Sequence, residues 1–248
     1  MTPAFLKPVV AVGPRPTDPD TVAARYVRSF LILRILVGLL GVALPFVLVL
    51  LDKIVFDGSP FPRGSLSAYY YSGMREVFVG TLSAIGVFLI AYKVAERNLD
   101  NTLSVVAGIS ALVIPVFPTQ RPSHSGPLTP LQDLLGESFV KEVHFTASVV
   151  FLVSLTLMSF FFGRREGARV HRPSKRSPRF WQWFHWACAG VMAAALVWMG
   201  VTAIVGGPSR STLIGQAVAA WAFGASWLMK GLELDMVFGR PREVRPNQ

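Results

Sequence analysis

Long uncharged runs alternate with short polar stretches along this chain, and the runs have the length of membrane helices. Val77–Tyr92 holds no charged residue, and with its flanks it is long enough to cross a hydrocarbon layer of about 30 Å at about 1.5 Å per residue. The same pattern predicts six spans: Phe30–Leu51, Met74–Val94, Thr102–Pro118, Val143–Phe162, Trp181–Gly206 and Leu213–Phe238. The expected fold is therefore all-α, a polytopic six-helix transmembrane bundle, since lipid leaves no backbone group unpaired outside helices and closed barrels. Residues 30–238 form the membrane domain, between a flexible tail at 1–29 and a short tail at 239–248.

Breakers and caps refine this outline. Pro3, Pro8, Pro14, Pro16 and Pro19 keep the leader from any regular period, and Asp18 or Asp20 can cap a helix starting near Thr21. Pro45 should kink the first span unless neighbours satisfy the freed carbonyl, and Pro115 with Pro118 ends the third. Small residues at four-residue spacing predict close helix crossings: Gly80 with Ala84, Ser104 with Gly108, Gly190 with Ala194, Gly215 with Ala219 and Ala220 with Gly224.

Composition strengthens the membrane reading. Charged residues are 15% of the chain, well below the usual quarter of a soluble domain, and the mean hydropathy is +0.49. A net charge of +10 would suit a nucleic-acid binder, but the basic residues sit in the short segments between apolar runs, where they read as topology. With the amino terminus inside, the inner segments carry Lys7, Arg15, Arg25, Arg28, Lys93, Arg97, the run Arg164–Arg179, and Arg240, Arg242 and Arg245. The outer segments carry only Lys53, Arg63, Arg75, Arg121, Lys141 and Arg210. Both termini are expected in the cytoplasm, with the protein multi-pass in the cell (inner) membrane. The first apolar run, behind a long polar leader, is too long for a cleaved signal. Trp181, Trp183 and Trp186 fit an inner aromatic belt, and Tyr69–Tyr71 an outer one. Cys188 is the only cysteine, which excludes an intrachain disulfide and a cysteine-rich metal site.

Polar groups gather at the outer face. Ser65, Ser67, Tyr69–Tyr71, Arg75 and Glu76 enter the second span, Pro118–Arg121 leave the third, Glu142 and His144 open the fourth, and Arg210 and Ser211 precede the sixth. Arg75 can anchor a phosphate or carboxylate head group, with the tyrosines stacking or hydrogen-bonding beside it. The plainer alternative is that Arg75 pairs with Glu76, and Glu142 with His144. An imidazole at the edge of a span needs a partner or a use. His144 is either a base acting on Ser67 or a water, oriented by Glu142 or Glu76, or a donor to a carbonyl between helices. Catalysis is therefore an open question at these residues. Three-histidine zinc chemistry is disfavoured, since His124 and His144 fall outside while His171 and His185 fall inside. No metal or other cofactor is expected.

At the inner side Arg34 and Lys230 stand within spans. The expected partners are Glu233 for Lys230, and Asp235, Glu96 or Asp100 for Arg34. Lys230 beside Trp227 superficially suggests a retinal-binding lysine, but six spans and a boundary position argue against it. Arg164–Arg179 is expected to be a cytoplasmic connection that can attract anionic lipid, and Gln216 a lone interhelical hydrogen bond.

Four stretches carry a resemblance: Ser65–Arg75 (SLSAYYYSGMR), the run ending Val116-Phe117-Pro118-Thr119, Val143–Phe151 (VHFTASVVF) and Phe223–Gly231 (FGASWLMKG). Together they resemble a group of bacterial six-span membrane proteins, and more distantly the DRAM/Frag/Sfk family, over roughly Phe30–Gly231. That family's association with lipid remodelling and membrane-lipid organisation implies a lipid-facing role, with Ser67, Tyr70, Arg75 and His144 as the residues that matter. The function expected is lipid binding or handling, or a structural partnership in the cell envelope. A membrane-embedded lipid hydrolase or transferase using His144 is the alternative. A channel or transporter is disfavoured by the lack of broken mid-membrane helices. Membrane lipids are the expected partners, with other membrane proteins or a second copy as further candidates and no nucleic acid.

Overall fold

A computed structural model describes residues 19–56, 61–91, 99–122, 127–168, 177–208 and 210–231, with the side chains of 19–31, 100 and 231 outside that description. Every regular element among them is helical: α1 (Pro19–Val55), a short 3-10 helix (Ser67–Tyr71), α2 (Arg75–Ala91), α3 (Leu99–Val116), α4 (Pro130–Leu135), α5 (Glu137–Gly167), α6 (Pro178–Val205) and α7 (Ser211–Gly231). Of the expected tails at 1–29 and 239–248, residues 1–18 and 239–248 lie outside the described residues, whereas 19–29 belong to α1.

Among the described residues four helices are long and apolar enough to cross a membrane, within Ile32–Val55, Glu137–Gly167, Pro178–Val205 and Ser211–Lys230. The expected second and third spans are the shorter α2, at 17 residues, and α3, at 18. Proline and charge set their limits. Pro115 and Pro118 stop α3, and the Arg-Glu pair starts α2, inside the expected Met74–Val94.

α5 departs most from expectation. The apolar run predicts Val143–Phe162, whereas the helix runs for 31 residues, or about 46 Å, and takes in Glu137, Lys141 and Glu142 at one end and Arg164–Glu166 at the other. Its buried face explains the extension. Leu155, Met158, Ser159, Phe162, Gly163 and Glu166 follow the helical period without a break, while Arg164 and Arg165 point outward. Local chemistry fixes the other starts. Thr129 and Gln132 form a capping box on α4, and Ser177 accepts the Phe180 N–H ahead of Pro178 on α6. Gly136 joins α4 to α5 at φ 86°, and Gly206 closes α6 at φ 72°, both conformations that a β-carbon disfavours.

The helices close into a ring in the order α1, α2, α3, α5, α6, α7, with α7 packed along α1 and α5 touching α7 across the middle. The core is built in two storeys. One surrounds Phe162, Phe223, Trp227 and Met192, and the other surrounds Tyr69, Met74, Phe78 and Leu48. Small residues set several crossings. A β-carbon on Gly86 would lie 2.8 Å from the Gly108 carbonyl oxygen, and one on Gly108 would lie 2.7 Å from that of Gly86. Gly224 meets the Gly38 carbonyl in the same way, at 2.9 Å. Gly80 and Gly190, expected at crossings, have nothing within 4 Å and face outward. Pro45 sits inside α1, and one residue past the carbonyl it frees, the Trp221 indole donates to the Val42 carbonyl at 3.2 Å.

Candidate functional site

The polar residues sort to the two ends of the bundle. The end bearing the 3-10 helix is knitted by side chains from every neighbouring element. Tyr71 donates to the Thr119 carbonyl at 2.6 Å and accepts from Gln132 Nε2 at 2.8 Å. Arg121 holds both oxygens of Glu137 at 3.1 Å, and Arg63 holds the buried Asp52 at 3.3 Å. Gln216, expected to bridge two helices, instead accepts the Leu66 backbone N–H at 2.7 Å and so pins the loop. Burial pushes the Tyr69 and Tyr71 phenols above their ordinary pKa, so both stay protonated donors through the neutral range.

The expected site residues lie at this end, but not as one cluster. Ser67 is buried and lines a cleft of about 80 Å³ with Ser148 and Gln216, among Phe78, Leu82 and Phe151. The Ser148 hydroxyl is buried there without a partner. Tyr70 is buried, and its hydroxyl accepts from Arg75 Nη2 at 2.6 Å while the guanidinium lies 4.3 Å from the ring centroid. Arg75 and Glu76 are both exposed, and no ion pair joins them. Successive helical positions diverge, so Arg75 folds back on Tyr70 instead.

His144 is buried, and its Nδ1 faces two carbonyls of α3, Phe117 at 2.7 Å and Ile114 at 3.1 Å. The reason lies in α3. The N–H that would ordinarily reach the Ile114 carbonyl belongs to residue 118, a proline. His144 replaces that missing donor, which places the proton on Nδ1. No hydrogen bond among the described residues joins His144 to Ser67 or to Glu142. Glu142 is exposed in an open groove with Ser110 and Thr146, because residues two apart on a helix do not share a face. Replacing His144 with Ala should cost about 1–2 kcal/mol by leaving the α3 carbonyls without a donor. His144→Asn should recover part of it. Thermal melts in detergent test this, and an undiminished midpoint in His144→Ala would remove the capping role.

The opposite end brings together Arg34 and Lys230, both expected within spans, with Glu166 and His185, which the sequence reading missed. Glu166 is fully buried and pairs with the buried Lys230 ammonium, while Arg34 Nη1 donates to the Lys230 carbonyl at 3.4 Å. Arg34 and Lys230 each lie 5.9 Å from the centroid of the Phe162 ring, whose edge meets His185. His185 is fully buried, with Nδ1 2.9 Å from the Ser226 hydroxyl. Glu166 is thus a helix residue rather than part of a cytoplasmic connection, and it is a partner of Lys230. Residues Glu96, Glu233 and Asp235, the Asp100 side chain, and His124 and His171 lie outside the described residues. Among the described residues no three His, Cys, Asp or Glu side chains gather to hold a metal. The usable signal was the period: Glu166 stands four residues after Phe162, on the face already apolar for three turns.

Chemically, one end offers a stacked, exposed guanidinium over a network of protonated tyrosines, and the other a sealed charge pair. Compared with known proteins, the chain matches no family model, no curated protein and no solved structure, which leaves these two polar ends to carry the functional reading.

Proposed function

We propose that the protein crosses the cell (inner) membrane six times, with both termini in the cytoplasm, and binds the head group of an anionic lipid at its outer face through Arg75. The crossing number is supported by α2 and α3, whose 17 and 18 residues fall at the lower end of the spanning range. The orientation is supported by the excess of Lys and Arg in the segments assigned to the inner side.

The observation that carries the lipid reading is the state of Arg75. Its neighbours Arg63 and Arg121 are each neutralised by a carboxylate, whereas Arg75 is exposed and, among the described residues, engaged only by Tyr70. Stacking on the ring restricts the guanidinium while leaving donors free, which suits bidentate contact with a phosphate. The resemblance to the DRAM/Frag/Sfk family points to the same residues. The hydrolase alternative has less support, because His144 Nδ1 is committed to α3 and Ser67 faces a separate cleft.

The test is native mass spectrometry of the protein with phosphatidylglycerol and phosphatidylcholine. Wild type should retain phosphatidylglycerol in preference, and Arg75→Gln should weaken that binding about tenfold, the loss expected for one charge-assisted contact, with phosphatidylcholine unchanged. Equal phosphatidylglycerol retention by Arg75→Gln and wild type would overturn the reading.

A further inference from the structure

A second feature of the outer half, a groove whose lining includes none of the tyrosines, has the form of a binding site. Where α1 crosses α7, a groove of about 310 Å³ opens on the outer surface of the bundle. That volume is at the lower end of the range of ligand pockets. Its lining is wholly apolar. Pro45 and Ala217 leave the depression at the crossing, Leu50 and Ile214 flank it, and the stacked rings of Phe46 and Trp221, with centroids 4.8 Å apart, close its lower end. Phe46, Leu50 and Ile214 are each at least half exposed, so the groove is open along its length. The Trp221 indole N–H is tied to the Val42 carbonyl, which fixes that wall.

Charge stands at the upper rim. Arg210 is one helical turn above Ile214, whose N–H bonds its carbonyl, and its guanidinium lies 5.2 Å from the centroid of the Phe61 ring. Arg210 is exposed, and among the described residues no carboxylate pairs with it. An apolar slot along the bundle with a cation at its polar rim is complementary to one molecule class, an acyl chain ending in an anionic head group.

We propose that the α1–α7 groove is a lipid site that seats one acyl chain of an anionic phospholipid between Phe46, Ala217 and Trp221, with its phosphate on Arg210. This site rests on the membrane-spanning reading given above, but on none of the residues assigned to the Arg75 head-group site. A bilayer gives every exposed helix face some contact with chains. What distinguishes this groove is the prediction of head-group preference at one particular depth.

Trp221 reports on its own groove. The protein is reconstituted in vesicles containing phosphatidylglycerol or phosphatidylcholine brominated on the acyl chains, and the quenching that belongs to Trp221 is the difference between wild type and Trp221→Phe. Brominated phosphatidylglycerol should quench Trp221 at about one tenth the mole fraction that phosphatidylcholine requires, the ratio expected for one charge-assisted contact. Arg210→Gln, a change at an exposed position outside the groove lining, should make the two lipids equivalent. Ala217→Phe, which fills the floor, should remove most of the Trp221 quenching by either. Equal quenching by both lipids in wild type, meaning only non-specific boundary lipid, would overturn the site, as would an unchanged preference in Arg210→Gln. Loss of retention in Arg75→Gln reports on the other site, so the two readings fail separately.

Discussion

Glu166→Ala is expected to destabilise the protein by about 3–5 kcal/mol, and Lys230→Ala by a similar amount, whereas the double replacement Glu166→Leu with Lys230→Met should recover most of the loss. Each single change strands a charge where water does not reach, since the Glu166 side chain has no exposure and that of Lys230 only 5%. The cost of such a change is dominated by the unpaired ion, not by the attraction that was lost, so removing both ions is far milder than removing one. SDS-driven unfolding in mixed micelles, read across the four-member cycle, checks this. Additive losses would show that the pair is solvated and contributes little. The Arg34 contact to the Lys230 carbonyl survives in all four proteins, because it uses the backbone.

The second large effect concerns α2 and α3. Gly108→Leu should cost about 3 kcal/mol, at the upper end for an overpacked site, because the added carbon meets the Gly86 carbonyl oxygen and the Ile90 side chain together. A side chain can rotate away, but a helix backbone has to move as a unit. Gly80→Leu and Gly190→Leu introduce the same side chain at positions with nothing within 4 Å, and they should leave the midpoint unchanged. The same micelle titration separates these classes, and equal losses at Gly80 and Gly108 would contradict the close approach of α2 and α3.

Much of this architecture was legible because lipid-facing helices announce themselves by uncharged length. Each of the six long described helices overlaps an expected run, although only α2 begins within one. What could not be read was where an apolar run ends. At Phe162 the adjacent arginines Arg164 and Arg165 look like the start of a connection, yet both point outward while the buried face continues to Glu166. A run of charge is a property of position in the chain, whereas burial is a property of angle around the helix. The same distinction explains Gly80 and Gly190, whose four-residue spacing to a small neighbour promised a crossing without saying which way the stripe would face.

The outer residues were legible as a group and not as a mechanism. Ser67, Tyr70, Arg75 and His144 do come to one end of the bundle, but the partner of each is set by tertiary contacts invisible in spacing. His144 meets a carbonyl orphaned by Pro118, 26 positions earlier in the chain. Of the two readings open for this histidine, donation to a carbonyl between helices is the one its Nδ1 contacts match. Arg75 turns to Tyr70, where an adjacent acid had seemed the simpler partner.

The pairing of α1 with α7 bears on how the protein is made. Arg34 and Lys230 are 196 residues apart in the chain, and the Gly38 and Gly41 surface of α1 is shaped to fit Leu228 and Gly224 of α7. A ribosome delivers α1 to the bilayer long before its main neighbour exists, and its contact with α2, the next helix to emerge, is slight by comparison. The early helix must therefore wait, exposing a glycine-lined face and a cation at its rim to lipid or to an insertion factor. A nascent chain arrested before α7 should be open along one side, and the arrival of α7 is the event that shuts it.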